Sequence, residues 1–441
     1  MGANNWMTLS KNRVANNAVW IISAQIVKSV FALIINMITA RYLGPTSYGC
    51  ISYAASIVAF VAPIMFLGLN GIMVQEIVSH PDKEGETLGT AICMSLISSV
   101  FCIAGVALFV SVANPGEMDT LIVCVLYSLL LIFQGMELIL YWFQAKLLSK
   151  YSSVVSLCSY VVVSGYKIVL LISNGSIYWF ALSNTLDYMI ISVALLVIYR
   201  RVRTQCLSIS FSTAKRLFRK SKYYIVSNLM IVVFGQTDRI MLKIMIDDQA
   251  TGIYSAAAYC AGMAYFVFSA IIDSMRPMIF EAKAKSQADF ERHTITMYSI
   301  VIYLSLLYSV FVSIFSPMII RILYGSQYLS AVPVLRIIVW YCTSSYLGGA
   351  RDVWILAEEK QKYLITLNCV GAFANVVLNY TMIPMWSAEG AAVASLLTQI
   401  IVNVVFVSLY KPTRRNGILM LKACDPRIPL GVLHHICKKN I

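Results

Sequence analysis

Charge is what this sequence has least of. Only 12% of its 441 residues are Asp, Glu, Lys or Arg, where a soluble domain carries about 25%. Histidine is scarcer still, at four residues. No Cys-x-x-Cys pair occurs among the 11 cysteines, and most of them sit inside apolar runs (Cys93, Cys102, Cys124, Cys158, Cys260, Cys369). Buried thiols acting as small hydrophobes are expected, not disulfides or zinc ribbons. His434, His435 and Cys437 stand together near the end with no second ligand cluster, so a solvated basic tail is expected there. There is no phosphate-binding Gly-rich loop, no dinucleotide fingerprint, no His-Glu-x-x-His and no Ser/His/Asp set. These absences argue against ATP hydrolysis and against an enzyme, and no cofactor or metal is expected.

What is abundant is apolar surface. Hydrophobic residues make up 59% of the chain, above the roughly 45–50% of soluble proteins. A membrane-spanning helix needs about 20 mostly apolar residues. Twelve runs qualify: 18–40, 48–69, 88–112, 120–143, 152–173, 177–199, 224–246, 252–275, 295–316, 332–354, 363–383 and 389–410. The fold class expected is therefore an all-α polytopic membrane protein of 12 transmembrane helices. The first run follows Lys11 and Arg13 and is too long for a signal peptide, so it reads as an uncleaved first helix.

Lys and Arg exceed Asp and Glu by 14. Their placement says why. If the N-terminus is cytoplasmic, 27 of the 34 cations fall in inside segments and only Arg41 and Arg321 fall outside. That asymmetry places both termini in the cytoplasm. It also accounts for the basic balance without nucleic acid. The runs Arg200–Arg203 and Lys215–Lys222 are expected to face anionic headgroups. All outside loops are short, the longest at about 316–331, which excludes a membrane polymerase or ligase with a folded outer domain.

The long basic loop divides the chain into an N-lobe (1–199), a linker (200–223), a C-lobe (224–410) and a basic tail (411–441). At an offset of 203, Gly49, Ser52, Ala54 and Ala55 coincide with Gly252, Ser255, Ala257 and Ala258. Two six-span lobes of equal orientation are related by an axis along the membrane normal, as in several transporters.

Ionisable residues inside a bilayer cost about 2.5–3.5 kcal/mol each on insertion scales. Here they are Lys28, Glu137, Lys167, Asp187, Asp238, Arg239, Lys243, Asp273 and Arg336. At about 100° per residue, Asn228, Gln236, Arg239 and Lys243 share one face of the seventh span, and Asp238 points elsewhere. Lys28, Asp187 and Arg239 are expected in a water-filled cavity. Lys167, Lys243 and Arg336 could instead snorkel outward, and Glu137 and Asp273 could form interfacial pairs. Such a mixed set suits a ligand with fixed negative charge, and its carboxylates could carry a coupling proton. Tyr141-Trp142-Phe143 and Tyr178-Trp179-Phe180 read as headgroup aromatic belts.

Several strings resemble Wzx-type O-antigen and polysaccharide flippases. They are Ala40-Arg41-Tyr42-Leu43-Gly44-Pro45 with Tyr48-Gly49, Trp142-Phe143-Gln144-Ala145, and Gln236-Thr237-Asp238-Arg239. Gly252-Ile253-Tyr254-Ser255-Ala256-Ala257, Leu323-Tyr324-Gly325, and Asn375 with Asn379 ahead of Gly390-Ala391-Ala392 complete the set. The resemblance covers about 40–410. It is to the polysaccharide-transport branch of the superfamily that also holds lipid II flippases and multidrug/toxin extruders. It implies two lobes around a central lumen. It implies passage of an undecaprenyl-diphosphate-linked oligosaccharide across a bacterial inner membrane, driven by an ion gradient, beside a polymerase and a chain-length regulator. Lys28, Arg239, Lys243 and Arg336, with Gln236 and Lys167, would hold the substrate. Asp187 or Asp238, then Asp273 and Glu137, would couple the ion. The alternative is a cation-coupled extruder of drugs on the same fold.

Overall fold

The computed structural model describes residues 2–203 and 205–428, except for the side chains of 2–26 and 30. Lys11, Arg13, His434, His435 and Cys437 fall outside what is described. Among the described residues the chain is all helix, without strands. It divides into two compact units: one holds residues up to Leu43 and Cys50–Val232, the other Gly44–Gly49 and everything from Val233 on.

In the first unit, α1 (Gly2–Met65) is followed by α2 (Met73–Ser79), α3 (Glu84–Ala113), α4 (Met118–Ser128), α5 (Leu130–Met136) and α6 (Ile139–Ala145). Then come α7 (Ser149–Ile172), α8 (Ile177–Val202) and the start of α9 (Phe211–Met245). Helix α8 packs on α4, α5 and α7. The inner core gathers Trp142, Phe143, Tyr199 and Leu217, all essentially inaccessible. The Trp142 ring meets Tyr199 edge-on at 4.9 Å and Phe143 at 5.2 Å. The belt expectation therefore fails for Trp142 and Phe143, because a hydrophobic cluster on five helices captures them, and for Phe180, which is 1% exposed. Trp179 remains half exposed.

The basic stretch 200–223 is helical from Phe211 onward and is partly neutralised. Glu76 is almost fully buried and takes an ion pair from Lys220 and another from Arg216 at 3.7 Å. Thr213 donates to Glu86, and the buried Glu84 pairs with Lys146 at 2.5 Å. A buried carboxylate requires such partners. Arg216 and Lys220 are therefore engaged by protein carboxylates, a correction to the expectation that the whole run faces lipid.

In the second unit, α10 (Asp248–Ala261), α11 (Tyr265–Lys285), α12 (Gln287–Leu323) and α13 (Ala331–Ala357) precede α14 (Lys362–Ile400). A π-helix (401–406) leads into α15 (Val407–Leu409), and α16 (Arg414–Ala423) closes the described chain. Helix α13 is the hub, packing on α10, α11, α12 and α14.

Nine helical stretches among the described residues are long and apolar enough to cross a membrane. Two of them contain residues with non-helical backbone angles. α1 bends at Gly44, whose φ of 75° suits a residue without Cβ. α14 breaks at Trp386 and Ser387. Beside the first break, Gly49 and Gly252 lie on each other's backbone. A Cβ at Gly49 would come within 1.8 Å of the Asp248 carbonyl oxygen, and one at Gly252 within 1.9 Å of the Pro45 carbonyl oxygen. Both glycines and both carbonyls are 203 positions apart, so the contact is its own image at that offset.

Among the described cysteines none is bonded to another. Cys102, Cys124 and Cys260 are buried, as small hydrophobes should be, whereas Cys158 and Cys369 lie on exposed helix faces.

Candidate functional site

Seven of the ten expected residues gather at two places, one in each unit. The first is built on a serine seam of α7. Ser156 and Ser159 are three positions apart and so share a helix face. Ser156 accepts a hydrogen bond from Lys28 Nζ of α1 at 3.1 Å. Ser159 donates to Asp187 Oδ1 of α8 at 2.6 Å. Lys28 and Asp187 then stand 3.8 Å apart, with side chains 28% and 17% exposed. The pair is loose and partly exposed. Tyr160 offers its ring to Lys28 at 5.8 Å. Glu137 sits at the break between α5 and α6, close enough to feel the charges of both Lys28 and Asp187. Lys167, one face along α7, feels Asp187. Two cations and two carboxylates thus meet among apolar helices.

The second place is built on α9. Arg239 Nη1 donates to Gln236 Oε1 at 2.9 Å and its Nε to Ser255 Oγ of α10 at 3.2 Å. The guanidinium also lies over the Tyr254 ring, 5.9 Å from its centre. Asp238 points to the other side, as the helical period requires, and is 5% exposed. Its partners are neutral: Asn375 Nδ2 at 3.1 Å and Asn379 Nδ2 at 2.6 Å from α14, Ser395 Oγ at 2.5 Å, and the Tyr254 hydroxyl. The Asn379 carbonyl oxygen is buried with no protein partner. The arrangement encloses a carboxylate in a ring of small oxygen and nitrogen groups. Among the described residues no three His, Cys, Asp or Glu side chains come together.

Three expected residues stand apart. Lys243 is buried and pairs with Asp248 at 2.6 Å, across the turn that ends α9. Arg336 is exposed on α13, with its Nε on Ser316 Oγ at 3.0 Å. Asp273 pairs with Arg276 on an exposed face of α11 at 2.9 Å.

The Asp238 partners were missed as site residues, yet a signal existed. Asn375 and Asn379 are four apart, so an apolar helix presents two amides on one face. Arg351 falls within the run 332–354 but is absent from the ionisable residues singled out there. It lies in α13, 5% exposed, with Nη1 on Asn403 Oδ1 at 2.6 Å and Nη2 on Asp352 at 2.7 Å. Asn403 reaches it from the π-helix, where the register shifts by one residue.

Comparison with known proteins gives these arrangements a setting. Over 395 residues the chain is 21% identical to the capsular polysaccharide biosynthesis protein CapF of Staphylococcus aureus, covering 88% of this chain and 97% of that one. It is 22% identical over 363 residues to a Haloferax volcanii protein named "Probable low-salt glycan biosynthesis flippase Agl15", covering 81% and 75%. The fold matches that of the lipid II flippase MurJ in an inward closed conformation, with a TM-score of 0.71 and 13% identity over 91% of this chain and 90% of that one. The family described as "Polysaccharide biosynthesis protein" matches residues 14–283, more than half of the sequence, and the chain belongs to that family.

Proposed function

We propose that the protein is a flippase that moves a lipid-linked oligosaccharide across a membrane by alternating access, without catalysing a covalent step. The observation that carries this reading is the partly buried group of Lys28, Asp187, Glu137 and Lys167 among apolar helices of a polysaccharide-biosynthesis chain. A bundle that served only as an anchor would have no use for four ionisable groups there. A loose Lys–Asp pair can open to admit a phosphate oxygen, and Lys28, Lys167 and Arg239 supply the cations for a polyprenyl diphosphate. Lys243 and Arg336 have other partners and drop down the order. Asp238 is the first candidate for ion coupling. Its ring of neutral groups can hold the carboxylate charged, and it can take up a proton or a small cation without a competing basic side chain.

In this reading the nine apolar helices become twelve spans, because α1 and α14 each contribute two across their breaks and α13 adds one. The excess of cations in 70–87, 144–151, 200–223, 276–294, 351–362 and the tail puts both termini in the cytoplasm. The lobes are 1–199 and 224–410, with 200–223 between them and 411–441 beyond. The membrane is the bacterial inner membrane, the direction is outward, and O-antigen or a related surface polysaccharide is the cargo. A polymerase and a chain-length regulator would receive the product.

Deletion in the native host tests the reading, with surface polysaccharide and lipid-linked precursors both assayed. Loss of surface glycan, with lipid-linked repeat units trapped on the cytoplasmic leaflet, is expected. Normal glycan with raised sensitivity to cationic dyes would overturn it in favour of a drug extruder.

A further inference from the structure

A second polar feature lies past the end of α9, in the same unit as Asp238. A cavity of about 260 Å³ opens where three helix connections meet. The turn between α9 and α10 supplies Asp247 and Gln249, the start of α13 supplies Ser330, and the break in α14 supplies Trp386, Ser387 and Glu389. Its floor is apolar, formed by side chains such as Ile253 and Val334.

The backbone has been bent to make it. Ser387 holds φ 49° and ψ −127°, a left-handed conformation that a residue with a Cβ adopts only under constraint. This break leaves the large Trp386 ring 51% exposed at the cavity. Asp247 is held in place because its Oδ1 accepts the Ala250 N–H at 2.7 Å. Gln249 and Glu389 are exposed.

The chemistry of this lining is selective. An exposed indole offers a flat apolar face to a ring bearing C–H groups. Carboxylates accept hydrogen bonds from hydroxyls, and an amide both donates and accepts. No Lys or Arg lines the cavity, so nothing there compensates a phosphate or a uronate, and two carboxylates repel both. The volume falls just below the roughly 300 Å³ at which pockets for drug-sized ligands begin, which suits one ring and not a chain.

We propose that this cavity is a sugar-binding pocket that holds one uncharged or amino-bearing sugar ring. The placement of that ring in the translocated glycan, at the exit face, rests on the flippase reading and its topology. The basic loops lie at the opposite ends of the same helices.

The full-length protein in nanodiscs is tested by saturation-transfer NMR with methyl glycosides of glucose, galactose, N-acetylglucosamine, glucosamine and glucuronic acid. At least one neutral or amino glycoside is expected to receive saturation. Glucuronide should be the weakest, and should gain at least threefold in Glu389→Gln. Trp386→Phe should keep most of the signal and Trp386→Ala should lose at least tenfold. Gln249→Ala, at an exposed position, should weaken binding without touching the break. A panel with no saturated member, or a Trp386→Ala protein that binds as wild type, would overturn the pocket and leave Trp386 a headgroup-belt residue. A pocket that binds sugar in a chain whose deletion traps no lipid-linked glycan would overturn the flippase reading alone.

Discussion

Asp238 takes its stabilisation from two amides and two hydroxyls, not from a cation in direct contact. Burying an ionised carboxylate is tolerable only when its oxygens are well supplied with donors. Asp238→Ala removes the acceptor and leaves those donors facing nothing. It is expected to destabilise the protein by about 3–5 kcal/mol, read as a fall in the melting temperature in detergent. Asp238→Asn keeps the volume and should melt closer to wild type while abolishing the response of transport to an ion gradient. Lys28 predicts the reverse balance. A partly exposed pair at 3.8 Å contributes about 0–1 kcal/mol, so Lys28→Gln should melt almost as wild type yet lower glycan export at least tenfold. That Lys28, Glu137, Lys167 and Asp187 are unusual was legible in the sequence, because charges inside apolar runs are rare. Which partner each would take was not. Lys243 shows why: α9 ends at Met245 and the turn carries Asp248 back onto it, a contact that a helical wheel cannot contain.

Helix breaks decide what the elements can do. The hydrophobic runs fall on the long helices, but they do not show that runs one and two form a single helix bent at Gly44, or that runs eleven and twelve are joined through Ser387. A run reports apolar content; a break depends on backbone angles and on what packs against the turn. The mutual contact of Gly49 and Gly252 is of that kind. Either residue changed to Ala would drive a methyl into a backbone oxygen less than 2 Å away. Gly49→Ala and Gly252→Ala should each destabilise by about 1–3 kcal/mol. Gly105→Ala, where nothing lies within 4 Å of the added carbon, should be neutral. Melting of the three variants side by side checks this. The four-residue match between Gly49–Ala55 and Gly252–Ala258 is modest as a sequence signal, and the backbone contact supplies the physical reason for glycine at two of those positions. The basic run after Val202 was misread at this scale for a related reason. Composition records cations, and only the fold shows Glu76 waiting beneath Lys220 and Arg216.

At the scale of the whole molecule, composition alone separated a membrane bundle from a soluble enzyme. Sparse charge and abundant apolar residues leave a chain that can be satisfied only as helices within lipid or within one another. Family membership then ties the chain to polysaccharide biosynthesis, and the proposed flippase function gives its charged groups the work of holding the cargo and powering its passage. The central claim is that this chain by itself carries a lipid-linked oligosaccharide between leaflets, using Lys28 and Arg239. The most direct measurement is leaflet exchange of a fluorescent polyprenyl-diphosphate oligosaccharide in proteoliposomes holding the purified protein. Wild type is expected to exchange it faster under an ion gradient, and the double variant Lys28→Gln, Arg239→Gln to fall to the rate of empty liposomes. Exchange by the double variant at the wild-type rate would contradict the account, as would wild-type protein no faster than empty liposomes.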